Sequence, residues 1–568
     1  MKKCVPLIAV LLLLFQLAAG QPVLTLHIVN TNGNGTLSWT GWLGPLFYLQ
    51  TTTNLSPPVT WTDIGEVSWT GSLQFPISGP QQFFRVVFVE SGPVYQFAIF
   101  YNMNLEMSPA FPMTITGPVW SNGGIWTGST TATFASTVSA VGIATNTAND
   151  PFCTGYTGSG PSIYLLAGQP TSGNGPLTMP LIGTNNDPAA VEALINLPPT
   201  NYAMGTAAAY SPTGSFYFAN DADLFLTNFV SGTNWLGKTP VGTNMILYYQ
   251  DGANNPYLTQ LPYDFFIITN RGTGTVFFTN SVVPNSAGPP ANNYTNVIYA
   301  GYSFVTNVLF YDWREGWNGG KGVNSGKGKA VQALQIDVKA FDYWLVNSNL
   351  NGTTNINGGR YYNNLCDQAS HKGHPVDSIY IFNSVPLTST TLPAVRVTDG
   401  GMLPVHTAQY GFTVATAMPL YVFGDYNVSN NLGSSINQNS TIYTWPAALM
   451  GDAITILSDS WKDSITYILP TASSSTSVNA ACSSGIVQST NSVYSGGVEN
   501  FFRLLENWGT GTFYWNGSMV AMFTSRYATN SWQQTGNYYT APTRKWAFDT
   551  NFTSLFKLPP LTPTLVNE

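Results

Sequence analysis

The sequence predicts a mainly β protein. A small N-terminal β-sandwich would precede a large, irregular parallel β-helix or solenoid-like domain with a few short helices. Three observations predict it. Apolar, β-branched runs four to five residues long recur through the chain, as at Ala394–Val397, Phe412–Ala415, Leu420–Phe423 and Ala453–Leu457. Runs that short suit strands buried on one or both faces rather than helices. Gly, Asp, Asn and Pro cut them, the residues that form tight corners. Charged residues are only 8% of the chain, against about 25% in ordinary soluble proteins, so Gly, Ser, Thr, Asn, Tyr and Trp must carry its solubility.

At 568 residues the chain is long enough for a large core and more than one domain. Residues 1–20 read as a cleaved signal peptide. Lys2 and Lys3 form the basic start, Val5 to Leu17 the apolar stretch, and Ala18-Ala19-Gly20 the small residues before a cut at Gln21. The apolar run is shorter than the ~20 residues of a membrane span, and no later run reaches that length. The expected location is therefore outside the cytoplasm, secreted or at the cell surface, with no membrane span after cleavage. Without Lys2 and Lys3 the balance is 17 basic against 26 acidic residues. That thin acidity argues against nucleic acid as a partner. Cys153, Cys366 and Cys482 remain after cleavage; three permit at most one internal bridge, and buried thiols serving as small apolar groups account for them as well.

Residues 21–90 read as a separate module. Leu24–Val29 alternates as a strand, Asn32-Gly33-Asn34-Gly35 signals a turn, and Thr36–Trp39 returns as the hairpin partner. Further strands fall at Phe47–Thr51, Trp61–Ile64 and Phe83–Val89, with Trp39, Trp42, Trp61 and Trp69 available for a core. Glu90-Ser91-Gly92-Pro93 reads as a linker. The large domain spans 95–560. In it, Ile115, Val119 and Ile125 recur beside Gly117-Pro118 and Asn122-Gly123-Gly124, strand and corner in alternation. Short helices are predicted at Ala189–Ile195 and Val338–Leu345. Strands are predicted at Asn244–Tyr249, Phe265–Thr269, Thr275–Thr279 and Ser303–Leu309. In GGVENFFRLLENW, Glu499, Arg503 and Glu506 fall at i, i+4 and i+7, which predicts a helix with charges on one face. Asn516-Gly517 predicts a hairpin over Thr512–Phe523. Residues 561–568 read as a loose tail. No exact repeat period emerges.

The pattern W…FYLQTTTNL…WTDIG…GPQQFFRVV resembles the short fibronectin-III-like modules of secreted bacterial proteins. That resemblance implies spacing or weak adhesion. In the large domain, GPVWSNGGIWTG, LPAVRVTDGGMLP, TVATAMPLYVFGDYNV and YSGGVENFFRLLENW together resemble uncharacterised secreted β-rich surface proteins of environmental bacteria. More distantly they resemble β-helical regions of type IV pilus accessory proteins. No catalytic residue comes with that resemblance, and the N-terminus lacks a prepilin cleavage motif, so assembly into a pilus shaft is not implied.

Candidate chemistry is sparse, and no catalytic, cofactor or metal residue is assigned. His371 and His374 with Cys366 and Asp367 can be drawn as a metal site, but the Gly and Pro around them read as an exposed loop. Gly316–Gly328, with Lys321, Lys327 and Lys329 in or beside it, lacks the order of a phosphate-binding loop, because Gly328 follows Lys327. Ser483 and Ser495 sit in no nucleophile elbow. Asp399, Asp425, Asp452, Asp459 and Asp463 are the carboxylates from which a glycan-cleaving pair would be drawn; the competing reading is that they form turns. The sequence therefore favours a non-enzymatic structural or adhesive protein, with envelope proteins, surface proteins or glycans as partners. A glycan-binding or polysaccharide-degrading protein is the alternative.

Overall fold

The computed structural model describes residues 25–31, 34–40, 47–53, 62–66, 72–76, 83–88, 91–109, 111–145, 159–179, 188–211, 213–228, 245–250, 258–260, 267–268, 276–279, 297–300, 302–315, 328–346, 376–404, 411–429, 441, 444–465, 470–472, 474–490, 494–509, 511–530 and 539–567. The protein is mainly β, with parallel sheets and three short α-helices among the described residues. It divides into two compact units, one of residues 1–92, 175–180 and 564–568, the other of 93–174 and 181–563.

In the first unit, Thr25–Thr31 pairs antiparallel with Asn34–Thr40, which pairs with Ser72–Pro76. Phe47–Thr52 lies between Thr62–Glu66 and Phe83–Phe88 in a second antiparallel sheet. The antiparallel partnership read for the first two strands is present, with Thr31 opposite Asn34; Asn32 and Gly33 of the turn read at Asn32-Gly33-Asn34-Gly35 lie outside the described residues. The side chains of the four Trp assigned to this module's core lie outside the described residues. The C-terminal tail corrects the sequence reading: Thr564–Asn567 is a strand, antiparallel to Leu177–Thr178, and Leu565 is buried.

The second unit is organised by one long sheet in which nine strands run parallel. Leu224–Asn228, Ser378–Phe382, Phe412–Ala415, Ala447–Gly451, Ala481–Ile486 and Met519–Thr524 follow one another across it. The order then returns to the start of the unit, with Ile99–Tyr101, Val119–Ser121 and Val138–Ala140. Register aligns one apolar residue from each strand: Leu224, Ile379, Val414, Leu449, Cys482, Met519, Ile99, Val119 and Val138. All nine are buried, and each full burial of such a side chain stabilises by ~1.5–3 kcal/mol. Cys482 is a free thiol in this column, the small apolar role read for it. Cys153 and Cys366 lie outside the described residues.

Between visits to the long sheet the chain passes through others. Thr391–Thr398, Leu420–Phe423, Ile454–Leu457 and Phe502–Leu504 continue a parallel sheet from Lys329–Asp337. Thr476–Asn479, Thr512–Gly517 and Thr543–Phe548 form another. Each circuit is a rung; rungs pair in chain order from Leu224–Asn228 to Met519–Thr524, and the rungs that begin the unit add on after the last.

This architecture corrects two expectations. Glu499–Trp508 is not a helix: a 3-10 turn at Val498–Asn500 leads into the strand Phe502–Leu504, whose Phe502 and Leu504 fall in register with Ile454 and Ile456. That sheet is buried on both faces, so its strands lack the alternation that would have marked them. Nor do Thr512–Gly517 and Met519–Thr524 form a hairpin. They belong to different sheets and turn a corner at Ser518, whose hydroxyl donates to Phe97 O at 2.6 Å. The helices at Pro188–Glu192 and Val338–Val346 stand where the sequence placed helices.

The corner chemistry explains Asn516-Gly517. Asn516 Nδ2 donates to Asn479 Oδ1 at 2.6 Å, and Asn479 Nδ2 to Asn427 O at 3.0 Å. Asn427 Nδ2 returns a bond to Asn479 O at 2.8 Å. The three buried amides form a ladder, one per rung. A Cβ on Gly517 would lie 1.9 Å from Ala480 O, so only glycine fits.

Asn479→Ala is expected to destabilise the protein by about 2–4 kcal/mol, because it strands partners on both neighbouring rungs. Gly517→Ala is expected to cost about 3 kcal/mol or more through backbone overlap. Gly401→Ala, whose nearest neighbour would lie 3.6 Å away, is the near-neutral control. Urea unfolding of the three variants checks all of this.

Candidate functional site

The five aspartates singled out from sequence do not gather into one site. Asp463 pairs with Arg396 through two bonds, at 2.6 and 2.9 Å. The same guanidinium lies over the rings of Phe310 and Phe423. Asp452 is buried and accepts from the backbone N–H groups of Arg526, Tyr527 and Ala528 at 2.5, 3.0 and 2.9 Å. It fastens that loop to the stack.

Asp399, Asp425 and Asp459 do share a corner, just past the ends of adjacent strands in one sheet. Glu506 joins them one rung on. Here too the carboxylates cap backbone. Asp425 Oδ1 accepts from Ser477 N at 2.7 Å, and Asp459 accepts from the backbone N–H of Asp425. Glu506 accepts from Ser458 N at 2.7 Å and from the Ser458 hydroxyl at 2.6 Å. Burial, with the charge of Asp459 added, pushes Asp425 up to about 6 and Glu506 to about 7; the bonds from Ser477 and Ser458 pull the other way. Burial also raises Asp459, and Asp399 adds to it.

A second ionic cluster is buried against the same sheet. Arg503 pairs with Glu315, and both are buried. Asp312 accepts from Arg314 N at 2.8 Å, from Glu315 N at 3.2 Å and from the Tyr421 hydroxyl at 2.6 Å. Arg314 Nη1 donates to Asn500 Oδ1 at 2.9 Å, and Glu315 Oε2 accepts from Thr529 N and Asn530 N at 3.2 and 3.3 Å. The network ties three chain-distant loops together from groups that sequence reading left unassigned or, for Arg503, placed on a helix.

The group that sequence reasoning missed altogether is Glu106 with Tyr101. Both stand on the first rung of the unit, against residues 486–489 and 495–499 of the last rungs. A cavity of ≈ 20 Å³ is lined by Tyr101, Asn104, Glu106, Ser489, Ser495 and Gly497, among others. The Ser489 hydroxyl donates to Glu106 Oε2, and Ser489 Oγ accepts from Ser495 N at 2.9 Å. Glu499 Oε1 accepts from Ser108 N at 2.6 Å. Gly497, at φ 61°, has no room for a Cβ: it would meet Glu106 O at 2.6 Å and Glu499 Oε2 at 2.9 Å. Burial, then the charges of Glu499 and Glu106, push the Tyr101 hydroxyl far above its ordinary range, so it stays protonated. Burial pushes Glu499 up to about 7 against the opposing pull of its own backbone N–H, Arg544 and Ser108 N–H. Nothing local in the sequence marks this pair, which Ser489 and Glu499 reach only because the first rung docks on the last.

His371, His374, His406, Cys366, Asp367, Lys321 and Lys327 lie outside the described residues; Lys329 opens a strand. Ser483 and Ser484 are buried in the long sheet, where Ser483 Oγ lies 2.9 Å from the Tyr95 hydroxyl. Among the described residues no helix is long and apolar enough to cross a membrane. Comparison with family models, curated proteins and solved structures finds no match for this chain.

The raised carboxyls set a pH dependence. Each binds its proton more tightly in the fold than in the unfolded chain. Their contribution to stability is therefore full below about pH 4 and is lost as pH rises through 6 to 7. The melting temperature is expected to be higher at pH 5 than at pH 8, and Glu506→Gln is expected to flatten that slope. Thermal melts across this range measure it.

Proposed function

We propose that the chain is an exported, non-enzymatic protein of the cell surface or extracellular space, with a structural or adhesive role. In this reading the first unit is a fibronectin-III-like β-sandwich and the second an irregular parallel β-helix. The observation that supports it is the continuous column of nine buried residues, in which Met519 of the last rungs lies in register with Ile99 of the first. A body built by repeating one pairing presents a long, uniform, sparsely charged surface, suited to spacing or to multivalent contact with envelope proteins or glycans. The capping bonds made by Asp425, Asp452, Asp459 and Asp463 support it further, because each of these carboxylates is engaged in holding backbone or an arginine. Export rests on Lys2, Lys3 and the apolar run to Leu17.

One observation favours a second reading, glycan binding or cleavage. The corner bearing Asp399, Asp425, Asp459 and Glu506 sets acidic groups on successive rungs, a spacing of about 4.8 Å per strand, along which a polysaccharide chain can lie.

Incubating the full chain with a panel of polysaccharides and analysing the products separates the two. No released oligosaccharide is expected. Turnover abolished by Asp425→Asn or Asp459→Asn, with the melting temperature retained, would replace the first reading with the second.

A further inference from the structure

We infer that the strand edge at Ile163–Tyr164, where the stack of the second unit ends, is an interaction surface whose occupant is a second copy of this chain. The terminal rung is built from Val138–Ala140, Ala144–Thr145 and Ile163–Tyr164, each the edge strand of its sheet. The chain seals two of these three edges itself. Thr171 N donates to Val138 O at 2.9 Å, Ala140 N to Thr171 O at 3.0 Å, and Ala144 N to Ser172 Oγ at 2.9 Å. The third edge has no such cover among the described residues. Leu165 N donates inward to Phe134 O at 2.9 Å. The N–H and C=O of Tyr164, one residue away, therefore point outward from the stack, where no described strand pairs with them.

The side chains at this edge do not suit water as a neighbour. Tyr164 turns in, its ring stacked on that of Phe134 at 5.1 Å. Ile163 and Leu165 then share the outward face, and they are 49% and 62% exposed. The outward column that reaches Ile163 is Thr114 and then Thr133 on the two rungs before it, so it turns apolar only at the edge. Leu166, and Ile143 on the same rung, are exposed as well. The terminal rung of a solenoid needs a polar outer face where it meets water, and a free strand edge is ordinarily guarded by charge. This edge has neither.

Charge and symmetry select the occupant. Between Glu106 and Asp187 the only charged residue is Asp150. An acidic or basic partner would find almost no counter-charge here. A second copy brings the same neutral, apolar face, free of the like-charge repulsion that a net charge of −7 imposes elsewhere on the chain. An edge strand also pairs antiparallel with its own copy about a two-fold axis: the outward N–H and C=O of Tyr164 gain partners, and Ile163 and Leu165 close on their counterparts. Head-to-tail stacking is not matched, because the opposite end of the long sheet finishes in the antiparallel strands Met245–Gln250 and Leu258–Gln260. The assembly is a closed dimer.

The test is sedimentation of the full chain over a range of concentrations, where a monomer–dimer equilibrium is expected. Ile163→Lys and Leu165→Lys are each expected to weaken the dimer by roughly tenfold or more, because like charges then face each other across the axis. Leu387→Lys, at an exposed leucine elsewhere in the unit, leaves it unchanged. Mixing Leu165→Lys with Leu165→Glu is expected to restore the dimer, a result that only pairing of this edge with its own copy produces. Circular dichroism checks each fold, and Ile163→Lys decides the matter should the Leu165 variants not fold. A chain that stays monomeric at every concentration would overturn the proposal and leave the edge to a chain of different sequence. A dimer that survives both lysine variants, or growth into assemblies larger than a dimer, would overturn it equally.

Discussion

In-register parallel stacking is the constraint from which the second unit follows. Once strands pair parallel with matched residues, like side chains can stack in columns from strand to strand. The long-sheet column is apolar from Leu224 to Val138. Another repeats bulk as Tyr426, Val478, Trp515 and Trp546, whose last two rings meet edge to face. A third repeats amide as Asn427, Asn479 and Asn516. In this column the neighbouring rung supplies the partner of each buried amide: the asparagines bond one another.

The same constraint explains where the charges go. With only 8% charged residues, few ionic groups are available, and a large share of those described are buried. They sit where ladder hydrogen bonding stops. Corners leave backbone N–H groups unpaired, and Asp425, Asp452, Asp459 and Glu506 accept from them. A carboxylate is a strong acceptor for that purpose, at the cost of desolvation, which is why these groups hold their protons more tightly than usual. Arg503 and Arg396 stand on strands of the six-stranded sheet and pair with Glu315 and Asp463, tying loops to it. Removing one partner there would leave an unpaired buried charge.

Much of this was legible in the sequence, and what was not has a physical reason. Short β-branched runs marked the strands, and Gly, Asn and Asp marked the corners. Glu499, Arg503 and Glu506 imitated a helix because their spacing is helical. Their separate roles, acceptor for Ser108 N, buried ion pair and corner cap, depend on rungs elsewhere in the sequence. Asn516-Gly517 imitated a hairpin because the same two residues serve a corner: the amide for the ladder, the glycine for its lack of a Cβ. The rung length in the first coils was present as Ile99, Val119 and Val138, spaced 20 and 19 residues apart, but longer excursions elsewhere hid any common period. Glu106 was invisible, since its partners lie nearly 400 residues on.

That distance bears on how the fold is completed. The first three rungs, from Ile99 to Val138, do not stack onto the next strand in sequence but onto Met519–Thr524. Without them, Met519–Thr524 would be a bare edge with unpaired N–H and C=O groups, a template for unwanted pairing. The opposite end of the long sheet finishes differently, in antiparallel strands Met245–Gln250 and Leu258–Gln260. A long-range closure of this kind is slow to form, and during synthesis the early rungs must wait for the last. Asn122 Nδ2 donates to Asn102 Oδ1 within the early rungs and can do so before the chain is complete, whereas the contact of the Tyr95 and Ser483 hydroxyls spans the junction and cannot form until then. The bonds from Ser489 to Glu106 and from Ser108 N to Glu499 belong to the second kind, so these buried carboxylates gain their partners only when the stack closes.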